Sequence, residues 1–222
     1  ISSLRDAFER SKDWWGYYNA SEPGSLFHIP YFDNIPVSGG LGFNIPSTIG
    51  TANVKDPNLA ALMGGSLKKI IYPTGGSAEF KYESNQYSIA GGPTLQTGPG
   101  MRIQEIKILD GNNNGYRLIY KYGISENGAG TLVYLPNKYD YVSENKEIES
   151  PYEITDTYTS NRAYRRRTYS SEVNDQIASA YSVPVYYTSV TEYRYPLSGS
   201  QSLGKTVYSY DIPEFDLYTT EP

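Results

Sequence analysis

Alternation of apolar and charged residues between positions 66 and 87 is the feature that most constrains the fold. The alternating set is Ala78, Glu79, Phe80, Lys81, Tyr82 and Glu83. A period of two is what a strand with one buried face requires. The preceding Pro73–Gly76 combines a proline that presets φ with two glycines that tolerate positive φ, which is typical of a hairpin turn. The stretch therefore predicts a β-hairpin with one apolar, aromatic face.

Two further stretches predict hairpins of the same kind. Residues 101–122 place the turn residues Asp110–Gly115 between two alternating runs, and residues 184–211 do so around the loop PLSGSQSLG. In the first of these stretches the apolar phase slips near Gln104, which predicts a β-bulge there. Gly98-Pro99-Gly100 is interpreted as a turn, because proline removes a backbone donor.

The return strands of the three hairpins share a pattern, an aromatic residue, any residue, then tyrosine followed by Glu, Gly or Asp. The tyrosines are Tyr82, Tyr122 and Tyr210, separated by 40 and 88 residues. This spacing indicates a degenerate repeat of about 40 residues with one copy replaced. A hairpin with one apolar face cannot bury that face alone, so we expect it to associate with neighbours in an extended, layered sheet.

Alternation also predicts which side chains are buried. Those expected to face packed surface are Phe80, Tyr82, Leu118, Tyr120, Tyr122, Tyr208 and Tyr210. Those expected to face water are Glu79, Lys81, Arg117 and Lys121.

The overall prediction is a mainly β chain of successive antiparallel hairpins in a layered or curled sheet, with one or two short helices. The helices are predicted at Ser3–Lys12 and at Asp56–Gly64, the second capped by Asp56 and ended by Gly64. We expect 1–222 to be a single β-rich segment of a larger protein. Its parts are an aromatic, loop-rich lead-in at 1–55, a helix and two hairpins at 56–142, a polar insertion at 143–183 and the third hairpin at 184–222.

Composition excludes several classes of function. The net charge is −5, whereas nucleic-acid binding needs a basic footprint. The chain has no cysteine, which excludes a disulfide framework, a thiolate zinc site and a cysteine nucleophile. The sequence contains no run of 18 apolar residues, so it predicts no membrane-spanning helix. His28 is the only histidine, so a Ser-His-Asp site would have to use it.

The densest aromatic cluster is a candidate glycan-binding site. It consists of Trp14, Trp15, Tyr17 and Tyr18. Flat aromatic faces can stack on the C–H surfaces of sugars. The competing interpretation is an anchor that pins the lead-in onto the sheet, since large aromatic side chains usually dominate cores.

The turn Asp110–Gly115 matches the opening of a calcium-binding loop, with Asp110, Asn112 and Asn114 as oxygen ligands. The twelfth position of such a loop should be glutamate, but here it is Lys121. Asn and Gly are also ordinary hairpin-turn residues. Calcium is thus a possible cofactor, and no other cofactor is expected.

Charged clusters provide two more candidates. Arg162, Arg165, Arg166 and Arg167 form a candidate anion- or partner-binding patch. The alternative is a solvated strand edge whose charge blocks unwanted pairing. Acidic pairs such as Glu147 and Glu149 could act as glycosidase carboxylates, although 24 Asp and Glu residues make a suitably spaced pair an expected coincidence.

Five segments, in order, resemble a stretch of the large RHS-type, YD-repeat surface or secreted proteins of Bacteroidota. They are DWWGYYN, LKKIIYPTGGSAEFKYE, GPGMRIQEIKILDG, YYTSVTEYRY and GKTVYSYD, within residues 12–211. The resemblance implies a β-hairpin ribbon, no known catalytic role for this region, and export to the cell surface or beyond. It also implies partners that are further repeats of the same polypeptide or an envelope or secretion protein.

Two functions follow as expectations. The first is a non-enzymatic structural or binding segment of a large exported RHS-like protein. The alternative is a carbohydrate-active enzyme or a glycan-binding module that uses acidic and aromatic residues. An enzyme of this kind would need two buried carboxyl groups facing each other with separated pKa values.

Overall fold

A computed structural model gives the backbone and most side chains of nine portions of the chain. They are residues 11–21, 29–32, 49–88, 94–133, 135, 137, 141–149, 162–170 and 185–211. Most of the predicted helix Ser3–Lys12 lies outside these residues, as does His28. Lys12, at the end of that predicted helix, forms an antiparallel β-bridge with Tyr18.

The described part of the chain is mainly β, and every pairing between its strands is antiparallel, as predicted. The strands are β1 Lys69–Ile71, β2 Ser77–Ser88, β3 Leu95–Leu109, β4 Gly115–Tyr122, β5 Thr131–Leu132, β6 Val142–Glu149, β7 Arg162–Tyr169, β8 Val185–Tyr186, β9 Ser189–Pro196 and β10 Gly204–Ser209. A six-stranded sheet has the order β1-β2-β3-β4-β9-β10, and two small sheets pair β5 with β8 and β6 with β7.

The three predicted hairpins are confirmed, and they join edge to edge in the six-stranded sheet. The first turn closes through the Tyr72 N–H, which donates to the Gly76 carbonyl at 2.8 Å. Strand β4 of the second hairpin pairs with β9 of the third, with Tyr120 opposite Glu192. The chain therefore leaves this sheet after β4 and returns to it at β9, and between them β6 pairs with β7 in a separate sheet.

Two irregularities interrupt the pairing of β2 with β3. Lys81 pairs with Glu105 and Tyr82 with Ile103, so Gln104 is the extra residue of the predicted bulge, which is confirmed. The second irregularity places 98–100 against Asn85, whose Nδ2 donates to the Pro99 carbonyl at 2.8 Å.

The interpretation of Gly98-Pro99-Gly100 as a turn is wrong. These residues lie inside β3, where the wide bulge accommodates a proline that cannot donate to the ladder. Gly100 adopts a φ of +71°, which a residue with a Cβ rarely takes.

The second predicted helix is present but begins and ends elsewhere. Helix α1 spans Leu59–Leu62 and a 3-10 turn follows at Met63–Gly65, so Gly64 does not end it. Asn58, not Asp56, is the N-cap, because its extended backbone lets its side chain accept from the Ala61 N–H at 3.3 Å. Among the described helices, none is long and apolar enough to cross a membrane.

Predicted burial is confirmed only in part on the inner strands and is wrong at the edge. Lys81 and Lys121 are exposed and Phe80, Tyr82, Leu118, Tyr120 and Tyr122 are half-buried, but Glu79, which was expected to face water, is half-buried too. Tyr208 and Tyr210 were expected to face packed surface, but they are 40% and 54% exposed. The reason is topological, because β10 is the last strand and pairs on one side only.

Arg117 is a further exception, since it was expected to face water and is half-buried. Its Nε donates to the Pro196 carbonyl at 3.3 Å, and its guanidinium lies 5.9 Å from the centre of the Tyr195 ring. The aliphatic part of an arginine side chain buries apolar surface when it packs along an aromatic ring, while the guanidinium stays partly hydrated.

A tightly buried cluster lies outside the six-stranded sheet. Ile29, Phe32 and Tyr141 form its centre. The side chains packed around them are Trp14, Ile49, Val142 and Tyr169. These residues belong to the lead-in and to the ends of β6 and β7, so the best-packed apolar cluster joins two segments that sequence periodicity did not bring together.

We predict that Gly115→Ala weakens the β3–β4 hairpin. A Cβ at this position would collide with the carbonyl group of Ile108 on the paired strand. Relief requires a backbone shift, for which we expect a loss of about 1–3 kcal/mol in the free energy of unfolding. Gly64→Ala is the matched control, since a Cβ there meets nothing within 4 Å. Urea unfolding checks both variants, and equal midpoints for the two would contradict the predicted register.

Candidate functional site

The predicted aromatic site is built on a tight turn of the lead-in. The bridge between Lys12 and Tyr18 closes this turn. Asp13 holds it from within, because its Oδ1 accepts from the N–H of Trp15 at 2.9 Å and of Tyr17 at 2.8 Å. An aspartate that accepts bonds from the residues that follow it is a typical turn former.

The structure sends the aromatic side chains of this turn to different partners. Trp14 meets Tyr141 edge to face with centroids 5.6 Å apart, whereas Trp15 meets Tyr87 at 6.4 Å. The Tyr17 ring packs beside the second bulge of β3. If Gly100 carried a Cβ, that atom would lie 3.4 Å from the ring.

Each of the four predicted glycan-binding residues, Tyr18 included, is half-buried. For Trp14, Trp15 and Tyr17 the ring contacts are those expected of an anchor. Sugar binding by the part of each ring that remains exposed stays a prediction.

Asp13 itself is the group that sequence reasoning missed. It is 2% exposed, and its Oδ2 has no hydrogen-bond partner. Burial raises the pKa of this carboxyl group to about 6, although the N–H groups of Tyr17 and Trp15 and the charge of Lys55 oppose the shift. The sequence pattern that could have indicated this buried turn is an aspartate followed directly by two tryptophans and a glycine.

Lys55 ties the turn to the buried cluster. It is 2% exposed, and its ammonium lies 5.2 Å from the centre of the Tyr141 ring. Its carbonyl accepts from the Trp14 N–H at 3.1 Å. The Tyr141 hydroxyl donates in turn to the Trp14 carbonyl at 3.2 Å. The tryptophan is thus held through both its backbone and its ring.

Arg102 is the centre of the most extensive side-chain network in the described residues. Its Nε donates to Glu83 Oε1 at 2.8 Å and its Nη2 to Gln86 Oε1 at 3.2 Å. Its Nη1 donates to the Gly128 carbonyl at 2.9 Å and to the Tyr187 hydroxyl at 2.8 Å. The guanidinium is a rigid fork of donors, and here each of its nitrogens has a partner.

Two tyrosines pack against the same guanidinium. Its central carbon lies 4.3 Å from the Tyr122 ring centre and 5.0 Å from that of Tyr187. The Tyr122 hydroxyl donates to the Ile103 carbonyl at 2.6 Å. Burial raises the pKa of both tyrosines, so both remain protonated at neutral pH. The network therefore joins β2, β3, β4 and the segment before β9.

The predicted calcium ligands lie in the β3–β4 turn. Asp110 Oδ1 accepts from the N–H of Asn112 and of Asn114, each at 2.8 Å, and these bonds lower the pKa of Asp110. The same carboxylate oxygen thus stabilises the hairpin turn. Lys121, at the twelfth position, is exposed on β4. Calcium binding here stays a prediction.

The predicted arginine patch lies on β7, which pairs antiparallel with β6. Arg162 pairs in register with Glu149, and Arg167 with Glu144. Arg165 and Arg166 lie between them, opposite Lys146 and Asn145. Anion or partner binding by these arginines stays a prediction.

Carboxylate chemistry has little support among the described residues. Asp13 has a raised pKa, whereas those of Glu79 and Asp110 are lowered. Glu147 and Glu149 lie two residues apart on β6. No group of three or more His, Cys, Asp or Glu side chains within the described ranges is arranged to hold a metal ion.

Comparison of the chain with protein-family models, with curated proteins and with solved structures found no match.

We predict that Arg102→Met destabilises the protein by about 3–5 kcal/mol. The Arg102 side chain is only 8% exposed, and it forms an ion pair with Glu83. Its removal leaves the Glu83 carboxylate without a cation in a partly buried site, which is costly. Arg117→Met is the control, because its ion pair with Glu105 is 3.9 Å long and half-exposed, and we expect a loss below about 1 kcal/mol. Denaturant unfolding at neutral pH measures both losses, and similar values would show that the Arg102 network does not support the fold.

We predict that Asp13 makes the protein less stable as the pH rises from 4 to 6. The folded state keeps the proton up to about pH 6, whereas the unfolded carboxyl group releases it near 3.8. The contribution of Asp13 to stability is therefore fully present at a pH below the pKa of the unfolded state. It is lost as the pH rises to the pKa of the folded state. The total is about 3 kcal/mol.

Asp13→Asn should remove this pH dependence, because the amide does not ionise. Asp110→Asn is the control, because the pKa of Asp110 is lowered from 3.8 and its contribution to stability is lost only at a pH below that value, so its effect should stay nearly constant between pH 4 and 7. Urea unfolding at pH 4, 5, 6 and 7 measures the difference between wild type and each variant. A difference between wild type and Asp13→Asn that stays constant over this range would refute the assignment.

Proposed function

We propose that the chain is a non-enzymatic structural and binding segment of a large exported RHS-like protein. The observation that carries this proposal is the open construction of the six-stranded sheet. Its central strands β3 and β4 are half-buried along residues 105–109 and 116–119, and its last strand is exposed along its whole length. A sheet of this kind provides surface and strand edge for neighbours.

Exposed apolar residues at both ends of the sheet support the same role. Ile71 at the β1 edge is 73% exposed, and Val207 on β10 is 53% exposed. Each lies in a strand that is hydrogen-bonded on one side only. Further repeats of the same polypeptide, or an envelope or secretion partner, would cover such surface. Export to the cell surface or beyond follows from the resemblance of the hairpin sequences and is part of the proposal.

A structural role also accounts for how the polar groups are used. The Arg102 guanidinium and the Glu83 carboxylate are paired with each other and with neighbouring side chains, which is a way to stabilise an interior. The Asp13 carboxyl group has a raised pKa but faces no second carboxylate among the groups that shift it. Glycoside hydrolysis needs two such groups.

We predict that the purified chain shows no turnover on a panel of glycans and peptides. A glycan array run in parallel tests the alternative, a carbohydrate-active or glycan-binding module. Trp15→Ala and Asp13→Asn are the variants to compare, because they change the half-buried aromatic turn and its buried carboxyl group. Hydrolysis that is lost in Asp13→Asn would overturn the proposal. Glycan binding lost in Trp15→Ala with no hydrolysis would leave the scaffold in place and assign it a sugar ligand.

A further inference from the structure

The free edge of β10 can be identified from its hydrogen bonds to β9. The Tyr210 N–H donates to the Thr188 carbonyl at 2.9 Å, in register with the pairing of Tyr208 and Val190. Along an antiparallel pair, residues alternate between those that bond to the partner strand and those that point away from it. Thr206, Tyr208 and Tyr210 therefore bond to the neighbouring strand, whereas Lys205, Val207 and Ser209 direct their N–H and C=O groups outward.

The outward groups have no partner among the described residues. All six residues of β10, together with Tyr210 and Asp211, are exposed. The strand contains no proline and no bulge, and its one edge-blocking charge, Lys205, has its ammonium 5.6 Å from the centre of the Tyr193 ring on β9. The opposite edge of the sheet is the three-residue β1, whose Lys69 is held by Glu79 at 2.9 Å. The longer and less protected edge is therefore β10.

The sequence of this edge complements itself. If two copies of 205–211 are laid antiparallel about Tyr208, Lys205 of each copy lies directly opposite Asp211 of the other. The remaining opposed pairs are Thr206 with Tyr210, Val207 with Ser209, and Tyr208 with itself. The outward-pointing residues fall opposite one another, as a hydrogen-bonded ladder requires. Opposite charges and paired aromatic rings each favour cross-strand association.

We infer that β10 binds β10 of a second copy of this chain, antiparallel and centred on Tyr208, to form one sheet of twice the width. A two-fold axis uses the same patch on both copies and closes the assembly as a dimer. The inference rests on the proposed scaffold role. The two are tested separately, because hydrolysis decides that role and association decides this one.

Charge exchange tests the register. Lys205→Glu places two carboxylates opposite each other, and Asp211→Lys places two ammonium groups there. From the usual size of cross-strand charge effects, we expect each single variant to weaken dimerisation about tenfold. The double variant Lys205→Glu/Asp211→Lys should restore it to within about threefold of wild type.

Within one chain these two residues are about 20 Å apart along the strand, beyond the Debye length, so only contact between copies explains such a rescue. Lys81→Glu is the control, since it makes the same charge change at an exposed position away from the edge. Sedimentation equilibrium measures the dissociation constant of each protein.

A cysteine on the axis tests the geometry independently. The chain has no cysteine, so Tyr208→Cys introduces a single thiol. The opposed Cα atoms would lie about 4.5 Å apart, within the range that a disulfide spans. Thr206→Cys is the control on the same strand, because its two thiols would be separated by four residue steps.

Oxidation should link Tyr208→Cys into a covalent dimer and leave Thr206→Cys monomeric. The inference is overturned if the wild-type chain sediments as a monomer up to about 100 µM and Tyr208→Cys does not cross-link. It is also overturned if a dimer forms but neither charge reversal weakens it, since the copies would then meet at another surface.

Discussion

The charged contact between Arg102 and Glu83 is the interaction on which the joining of the strands depends. It links β2 to β3 at the point where the ladder has just been interrupted by Gln104. The same guanidinium bonds to Gly128 and Tyr187, which belong to connections far away in the chain. A buried arginine is costly unless its donors are satisfied, so this position forces several segments to meet in one arrangement.

The bulges of β3 explain why such a contact can form there. A strand with an extra residue bends and changes the direction of the side chains that follow. At the second bulge, Gly100 leaves room for the Tyr17 ring, and Asn85 satisfies the Pro99 carbonyl. The irregular part of the strand is thus where the lead-in packs on the sheet, whereas the regular part, from Glu105 to Leu109, pairs with strands on both sides.

This division gives the molecule one well-packed end and one open end. Tyr141, Phe32 and Lys55 are almost fully buried, whereas Leu203, Val207 and Tyr210 are each more than half exposed. Exposed β-branched and aromatic residues on an unpaired strand favour association with another strand. The proposed scaffold role and the inferred pairing of β10 with a second copy are both consequences of that open end.

Local sequence determined the elements of this protein, and tertiary structure decided what those elements bury. Alternation and turn residues were sufficient to predict three hairpins and the Gln104 bulge, because period and turn geometry depend on neighbours along the chain. They did not predict that Tyr208 and Tyr210 would be exposed, since burial depends on strand order in the sheet. Nor did they identify Asp13 and Arg102, whose environments are made by residues distant in the chain, such as Lys55 for Asp13 and Tyr187, 85 positions away, for Arg102. Only folding brings those groups together, and only their contacts distinguish a buried charge from a surface one.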